Sequence, residues 1–158
     1  MTTFRPAARI ICLDAADRVL LMHWRDPSDG HLLWEPPGGG IEPGETPFET
    51  ARRELAEETE LDPAAVRDSA VPVERDLWWN GTRYVGTEHF FLARFDGERP
   101  VIGRAGLLPD EQANLQTHAW VEWAELSALP DSLEPPHLLE VLAALVPEGP
   151  WRDSLSGA

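Results

Sequence analysis

The spacing of apolar and polar positions changes period several times along the chain. Residues 7–13 and 19–24 are apolar runs rich in Ile, Val and Leu, and Asp14-Ala15-Ala16-Asp17-Arg18 between them reads as a turn, so a hairpin is expected. Pro27, Ser28, Asp29 and Gly30 interrupt the pattern and predict a loop over residues 25–33. From Thr46 the period lengthens to that of a helix. Phe48, Ala51 and Leu55 share an arc suited to packing on a sheet, and Glu54, Glu57 and Glu58 occupy the adjoining arc. Thr46 is placed to cap this helix, Glu49 three residues on completes a capping box, and Pro47 suits the first helical position. A helix laid flat on a sheet would hold its acidic edge at the rim of the core.

Residues 71–79 and 82–95 flank Asn80-Gly81, the sequence of a type I′ hairpin turn. The second arm is apolar on both faces, with Val85, Phe91 and Phe95 on one and Tyr84, Phe90 and Leu92 on the other. A strand covered on both sides implies layers above and below the sheet. Gly97, Pro100, Gly103, Gly106 and Pro109 predict a long loop over residues 96–115, and His118–Trp123 reads as a further strand. Leu138, Leu142 and Leu145 give a second amphipathic helix over residues 136–146, and residues 147–158 read as a loose tail. No internal repeat or domain boundary is visible, so residues 1–158 are expected to form a single domain.

Charge narrows the partners. A net charge of −15 would repel a nucleic-acid polymer or an anionic membrane, whereas a small phosphorylated substrate remains compatible if metal ions neutralise the local field. All 13 basic residues are arginine, which reads as composition bias. Cys12 lies in the apolar run Ile10-Ile11-Cys12-Leu13, where a buried strand thiol is expected. The first residues lack a signal-peptide core and no apolar run is long enough to span a bilayer, so a cytoplasmic protein is expected.

The acidic helix supplies the candidate chemistry. A glycine-rich turn, Pro36-Pro37-Gly38-Gly39-Gly40, precedes it, and its three glutamates at i, i+3 and i+4 offer oxygen ligands to a hard cation such as Mg²⁺ or Mn²⁺. Glycines let the main chain come close to such an ion. Arg53 could reach Glu45 or Glu54 by charge-assisted hydrogen bonds and hold them in register. Taken singly, a Glu-Glu pair is an ordinary solvated face and a glycine run an ordinary loop. The combined spacing is what carries weight.

That spacing, from Gly39 to Leu61, resembles the Nudix box, G-x5-E-x7-R-E-U-x-E-E-x-G-U with U aliphatic. Gly39, Glu45, Arg53-Glu54-Leu55, Glu57-Glu58 and Leu61 match, and Glu60 stands where the family has glycine. Trp34 before the glycines, and Ala124-Glu125-Leu126 after a Trp-containing strand, also look like the family. The resemblance implies an α/β/α sandwich with a mixed sheet. It implies hydrolysis of the pyrophosphate bond in a nucleoside diphosphate linked to another moiety, with Mg²⁺ or Mn²⁺ held by Gly39, Glu54, Glu57 and Glu58. For the general base it leaves Glu57 or Glu58 within the box, or Glu111 on the later loop, whose plain reading is an exposed loop acid. A catalytically silent nucleotide-binding module of the same fold is the alternative.

Substrate contacts are less legible. In a two-residue hairpin Trp78 lies opposite Arg83, which permits a cation–π pair, and an exposed tryptophan there could stack on a nucleobase. Packing in the core or at a homodimer interface is an equal reading. Trp34 reads as core, and Arg25 and Arg104 join Arg83 as candidate phosphate contacts. Glu60 falls where a helix often ends in a left-handed residue, at a cost of roughly 1–2 kcal/mol for a residue other than glycine. On sequence alone, Glu60→Gly should raise the melting temperature and leave activity within a few-fold.

Overall fold

The computed structural model describes residues 2–155. Strand β1 (Thr2–Phe4) is followed by β2 (Ala7–Leu13) and β3 (Val19–Arg25). The turn between β2 and β3 forms as expected, with the Asp14 carboxylate accepting the Ala16 and Arg18 N–H groups at 2.9 Å each. The arms then part after Leu13↔Val19, because β2 takes other neighbours. The loop expected over 25–33 is shorter: Arg25 still belongs to β3 and Leu32 opens β4 (Leu32–Glu35) opposite it. Buried Asp26 gathers the residues between, accepting the N–H and O–H of Ser28 at 2.8 Å each.

Strand β5 (Gly38–Gly40) lies antiparallel to β2 and leads to helix α1 (Pro47–Thr59). The capping box is present: Thr46 Oγ1 accepts the Glu49 N–H at 3.1 Å, and the Glu49 carboxylate accepts the Thr46 N–H at 2.9 Å. Ala51 and Leu55 are buried against the sheet and Phe48 packs beside them. The helix ends at Glu60, which adopts φ 61° and ψ 13° and donates its N–H to Ala56 O at 3.0 Å.

Strands β6 (Val66–Trp79) and β7 (Thr82–Arg94) form the long hairpin, with positive φ at Asn80 (49°) and Gly81 (77°) as a type I′ turn requires. Residues 96–115 are not a continuous loop. Pro109 at its first position and a Glu111 carboxylate accepting the Leu108 N–H at 2.8 Å start a short helix, α2 (Pro109–Asn114). Strand β8 (Leu115–Val121) therefore begins earlier than expected and ends before Trp123. Strand β9 (Ser132–Leu133) and helix α3 (Leu138–Leu145) follow.

The tail after Pro147 is not loose throughout. Trp151 is fully buried, donates its indole N–H to Val146 O at 2.9 Å and meets Trp123 edge-on, so a large apolar ring ties the segment to the core. Residues 156–158 lie outside the described part.

The described strands make one mixed sheet of nine, in the order β1-β7-β2-β3-β4-β9, with β6 added on β7, β5 on β2 and β8 on β3. Its two faces carry separate apolar clusters, one containing Ala51 and Leu55 of α1, the other Leu138, Val141 and Leu142 of α3. β7 serves both, with Phe91 in the first and Phe90 and Leu92 in the second. The α/β/α arrangement with a mixed sheet is thus the one expected, and α1 sets its acidic edge over β5.

Candidate active site

The register Ala8↔Gly39 brings the glycine strand directly beneath α1. A Cβ built on Gly39 would stand 2.5 Å from Glu54 Oε1, so a side chain at this position would expel the carboxylate. Arg53 organises the neighbouring acids. Its guanidinium forks onto Glu45 at 2.7 and 2.9 Å, and also reaches Glu54 at 2.9 Å, Glu57 at 3.2 Å and the Gly40 carbonyl at 3.3 Å. Of the two partners expected, it therefore takes both. The hydrogen bonds from Arg53 bring the Glu45 carboxyl down to about 2.

Glu54 and Glu58 are buried on one helical face, whereas Glu57 is exposed and bound to Arg53. Glu58 is 3% exposed, and its Oε2 has no hydrogen-bond partner among the described residues. Burial, reinforced by the charge of Glu54, pushes its carboxyl well above the usual carboxylate range, and Arg9 only partly offsets this. Burial likewise raises Glu54 against the opposing effect of Arg53. Glu111, half-buried on α2, adds negative charge felt at both Glu54 and Glu58.

Beside Glu58 lies an ionic cluster drawn from several strands. Arg9 pairs with Glu35 at 3.1 Å and Glu88 at 3.6 Å, and Arg75 joins Glu88 at 3.2 Å and also bonds Glu134. Two guanidinium groups face three carboxylates here before Glu54 and Glu58 are counted. Burial accordingly raises the Glu35 carboxyl despite its partner Arg9. Arg9 and Glu35 were not singled out from the sequence, because the cluster joins residues up to 125 positions apart (9 to 134) and no local pattern announces it.

This donor set fits a divalent cation. Hard oxygen donors, an unpartnered buried carboxylate oxygen and a glycine backbone pressed against Glu54 are what Mg²⁺ or Mn²⁺ binds. Gly39, Glu54, Glu57 and Glu58 are the residues that could hold it. Glu54 and Glu57 share one Arg53 nitrogen, at 2.9 and 3.2 Å, but with Glu58 they do not form a tight group of three among the described residues. Among the described residues the tight group, with ligand atoms all within 4.8 Å, is instead Asp26, Asp29 and His31. Asp26 there is already engaged by Ser28 and by the Asn80 N–H, which pins the β6–β7 turn.

The expected substrate contacts fare unevenly. Trp78 lies opposite Arg83 and is 58% exposed, but Arg83 turns to Asp76, with bonds of 2.8 and 2.6 Å. The cation–π pair is replaced because a carboxylate diagonally across the hairpin matches the guanidinium fork. Arg104 is likewise spent, donating to the carbonyls of Gln112 and Leu115 at 3.1 and 3.0 Å. Arg25 lies against Gly30 in the Asp26 turn rather than at the glutamates. Trp34 is core, as expected, stacked on His23. Sequence reading passed over Arg5, whose guanidinium lies over Gly40 and the Tyr84 ring. It has no carboxylate partner among the described residues.

A glutamate-bearing helix pressed on a glycine strand, within a mixed sheet covered on both faces, is the arrangement that the Gly39–Leu61 resemblance implies. The chain belongs to the Nudix family: the NUDIX domain model matches residues 3–144. It is 40% identical over 127 residues to an RNA pyrophosphohydrolase of Erythrobacter litoralis, covering 73% of this chain and 72% of that protein. It is 36% identical over 121 residues to the putative mutator protein MutT4 of Mycobacterium tuberculosis, covering 74% of this chain and 44% of the relative. In fold it resembles the dihydroneopterin triphosphate pyrophosphohydrolase of E. coli, with TM-score 0.65 and 19% identity over 93% of this chain and 99% of that one. The Ap4A hydrolase of C. elegans gives TM-score 0.63 and 18% identity over 92% and 99%. The chain is therefore a hydrolase of pyrophosphate bonds in nucleoside diphosphate derivatives, and its family works with divalent metal ions.

Proposed function

We propose that the substrate is a small free nucleotide carrying a terminal di- or triphosphate, cleaved with Mg²⁺ or Mn²⁺ held by Gly39, Glu54, Glu57 and Glu58. The observation that carries the metal part of this reading is buried Glu58, whose Oε2 has no partner among the described residues and lies beside an acidic cluster short of positive charge. When bound, a divalent ion neutralises phosphate charge and polarises phosphorus. Arg53 acts through others, holding Glu45 and Glu54 in register. Glu111 comes from a separate element and serves as general base. It takes a proton from the attacking water as the water oxygen bonds to phosphorus and the bridging P–O bond breaks. Arg5, over Gly40, contacts a phosphate.

A nucleoside 5′-triphosphate and a triphosphorylated RNA end share the chemistry that this site reads. The net charge of −15 favours the free nucleotide. The test is a release assay, with and without Mg²⁺ and Mn²⁺. It covers nucleoside triphosphates (including oxidised ones), ADP-ribose, other nucleotide sugars, dinucleoside polyphosphates and a triphosphorylated RNA oligonucleotide. Metal-dependent turnover fastest on a free nucleotide is expected. Preference for the RNA would overturn the substrate assignment, and binding without turnover would overturn catalysis.

A further inference from the structure

We propose that Glu60, which replaces the glycine of the box, is a positioning residue: it docks residues 103–106 on the end of α1 and through them sets the position of Glu111. The proposal rests on the reading of Glu111 as general base.

Glu60 adopts a left-handed backbone (φ 61°) that glycine would adopt without strain. Its side chain supplies what glycine lacks. Glu60 Oε2 accepts the Ala105 N–H at 3.1 Å, next to a second tie in which the Gly103 N–H donates to Thr59 O at 2.9 Å. The docked segment is shaped for this contact. A Cβ on Gly103 would fall 1.7 Å from Glu60 Oε2, and one on Gly106 would fall 2.4 Å from Glu57 O. Two glycines of the segment thus lie against the last turn of α1, and Leu107 between them and α2 is buried.

From the docking point the segment is internally braced. The Arg104 carbonyl accepts the Leu107 N–H at 3.2 Å and the Gln112 side chain at 2.6 Å. The Arg104 guanidinium donates onward to the carbonyls of Gln112 and Leu115. Glu111 itself is tied to the Leu108 N–H. Residues 104–115 are thereby linked, and holding Ala105 holds Glu111. Glu111 lies close enough for its charge to add to the rise of the Glu54 and Glu58 carboxyls, although burial is the larger cause at each. On this proposal Glu60→Gly has a larger effect on activity than the few-fold change expected from sequence alone.

The experiment compares Glu60→Gly with Glu60→Gln, whose amide oxygen still accepts the Ala105 N–H. Amide exchange at Ala105 in the metal-free protein and Mn²⁺-induced relaxation of the Leu108, Asp110, Glu111 and Gln112 amides report docking. kcat and KM, on the best nucleotide of the release panel, report its consequence. Glu60→Gly should speed Ala105 exchange about tenfold and weaken the Mn²⁺ effect at Glu111. It should also lower kcat about tenfold with KM little changed, while Glu60→Gln keeps most of the parent values. Unchanged exchange and relaxation in Glu60→Gly would overturn the docking. A kcat within about twofold of the parent, with docking lost, would overturn the positioning role. Glu111→Gln separates the two layers. If that variant keeps full kcat, the base assignment and the catalytic half of this proposal both fall, and the exchange and relaxation data alone decide the docking.

Discussion

Burial of Glu58 costs stability, because a carboxylate buried beside Glu54, with one oxygen unpartnered among the described residues, is disfavoured in its charged form. Because its folded pKa lies above the unfolded value, its contribution to stability is fully present at acid pH and is lost as pH rises through the folded value. Glu58→Gln removes that penalty. In EDTA the variant should be more stable than the parent by about 0.5–2 kcal/mol at neutral pH, and the gap should shrink toward pH 4. Adding Mg²⁺ should raise the melting temperature of the parent and barely move that of the variant. Turnover should fall by orders of magnitude in Glu58→Gln and in Glu57→Gln. Near-parental rates in both would remove the glutamates from the mechanism.

Helix α1 and the Asn80-Gly81 hairpin were legible because their signals are local. A capping box, a proline at the first helical position and a two-residue turn each act within a few residues. Helix α2 was not, since its six residues sit among glycines and prolines and depend on the Glu111–Leu108 bond and on packing beside β8. The 96–102 stretch shows the same dependence on distant partners. The Arg99 N–H donates to Asp14 Oδ2 at 2.9 Å, and the Ala15 N–H donates to Gly97 O at 3.0 Å. Burial pushes the Asp14 carboxyl up, but the N–H groups of Arg99, Arg18 and Ala16 and the Arg18 guanidinium outweigh it and hold it low. A lowered group stabilises above its unfolded pKa and loses that contribution as pH falls through the folded value. Asp14→Ala should therefore cost about 1–3 kcal/mol at neutral pH by leaving those donors unpaired. Chemical denaturation of parent and variant should converge below about pH 3.8, where the parent begins to lose the same carboxylate. A gap independent of pH would mean that packing, not charge, sets the contribution of Asp14.

Across the molecule, many of the arginines are committed to internal pairs, as Arg9, Arg18, Arg53, Arg75, Arg83 and Arg94 show, so much of the −15 surplus faces solvent uncompensated. That balance was readable from composition, whereas the far-reaching cluster around Arg9 and the burial of Trp151 needed the fold. A metal-loaded site can neutralise one di- or triphosphate group, but it cannot neutralise a chain of further phosphates lying along an acidic surface. Each added nucleotide should then bring repulsion that is screened over a Debye length of about 8 Å at physiological salt. For triphosphorylated oligonucleotides of increasing length, kcat/KM should decline at low ionic strength, and the decline should flatten as salt is raised with Mg²⁺ held constant. The free nucleoside triphosphate should show the weakest salt dependence of the series. If the longest RNA is instead turned over best at low salt, a basic path across the surface must exist, and Arg5, exposed above Gly40, would be the first residue to test for it.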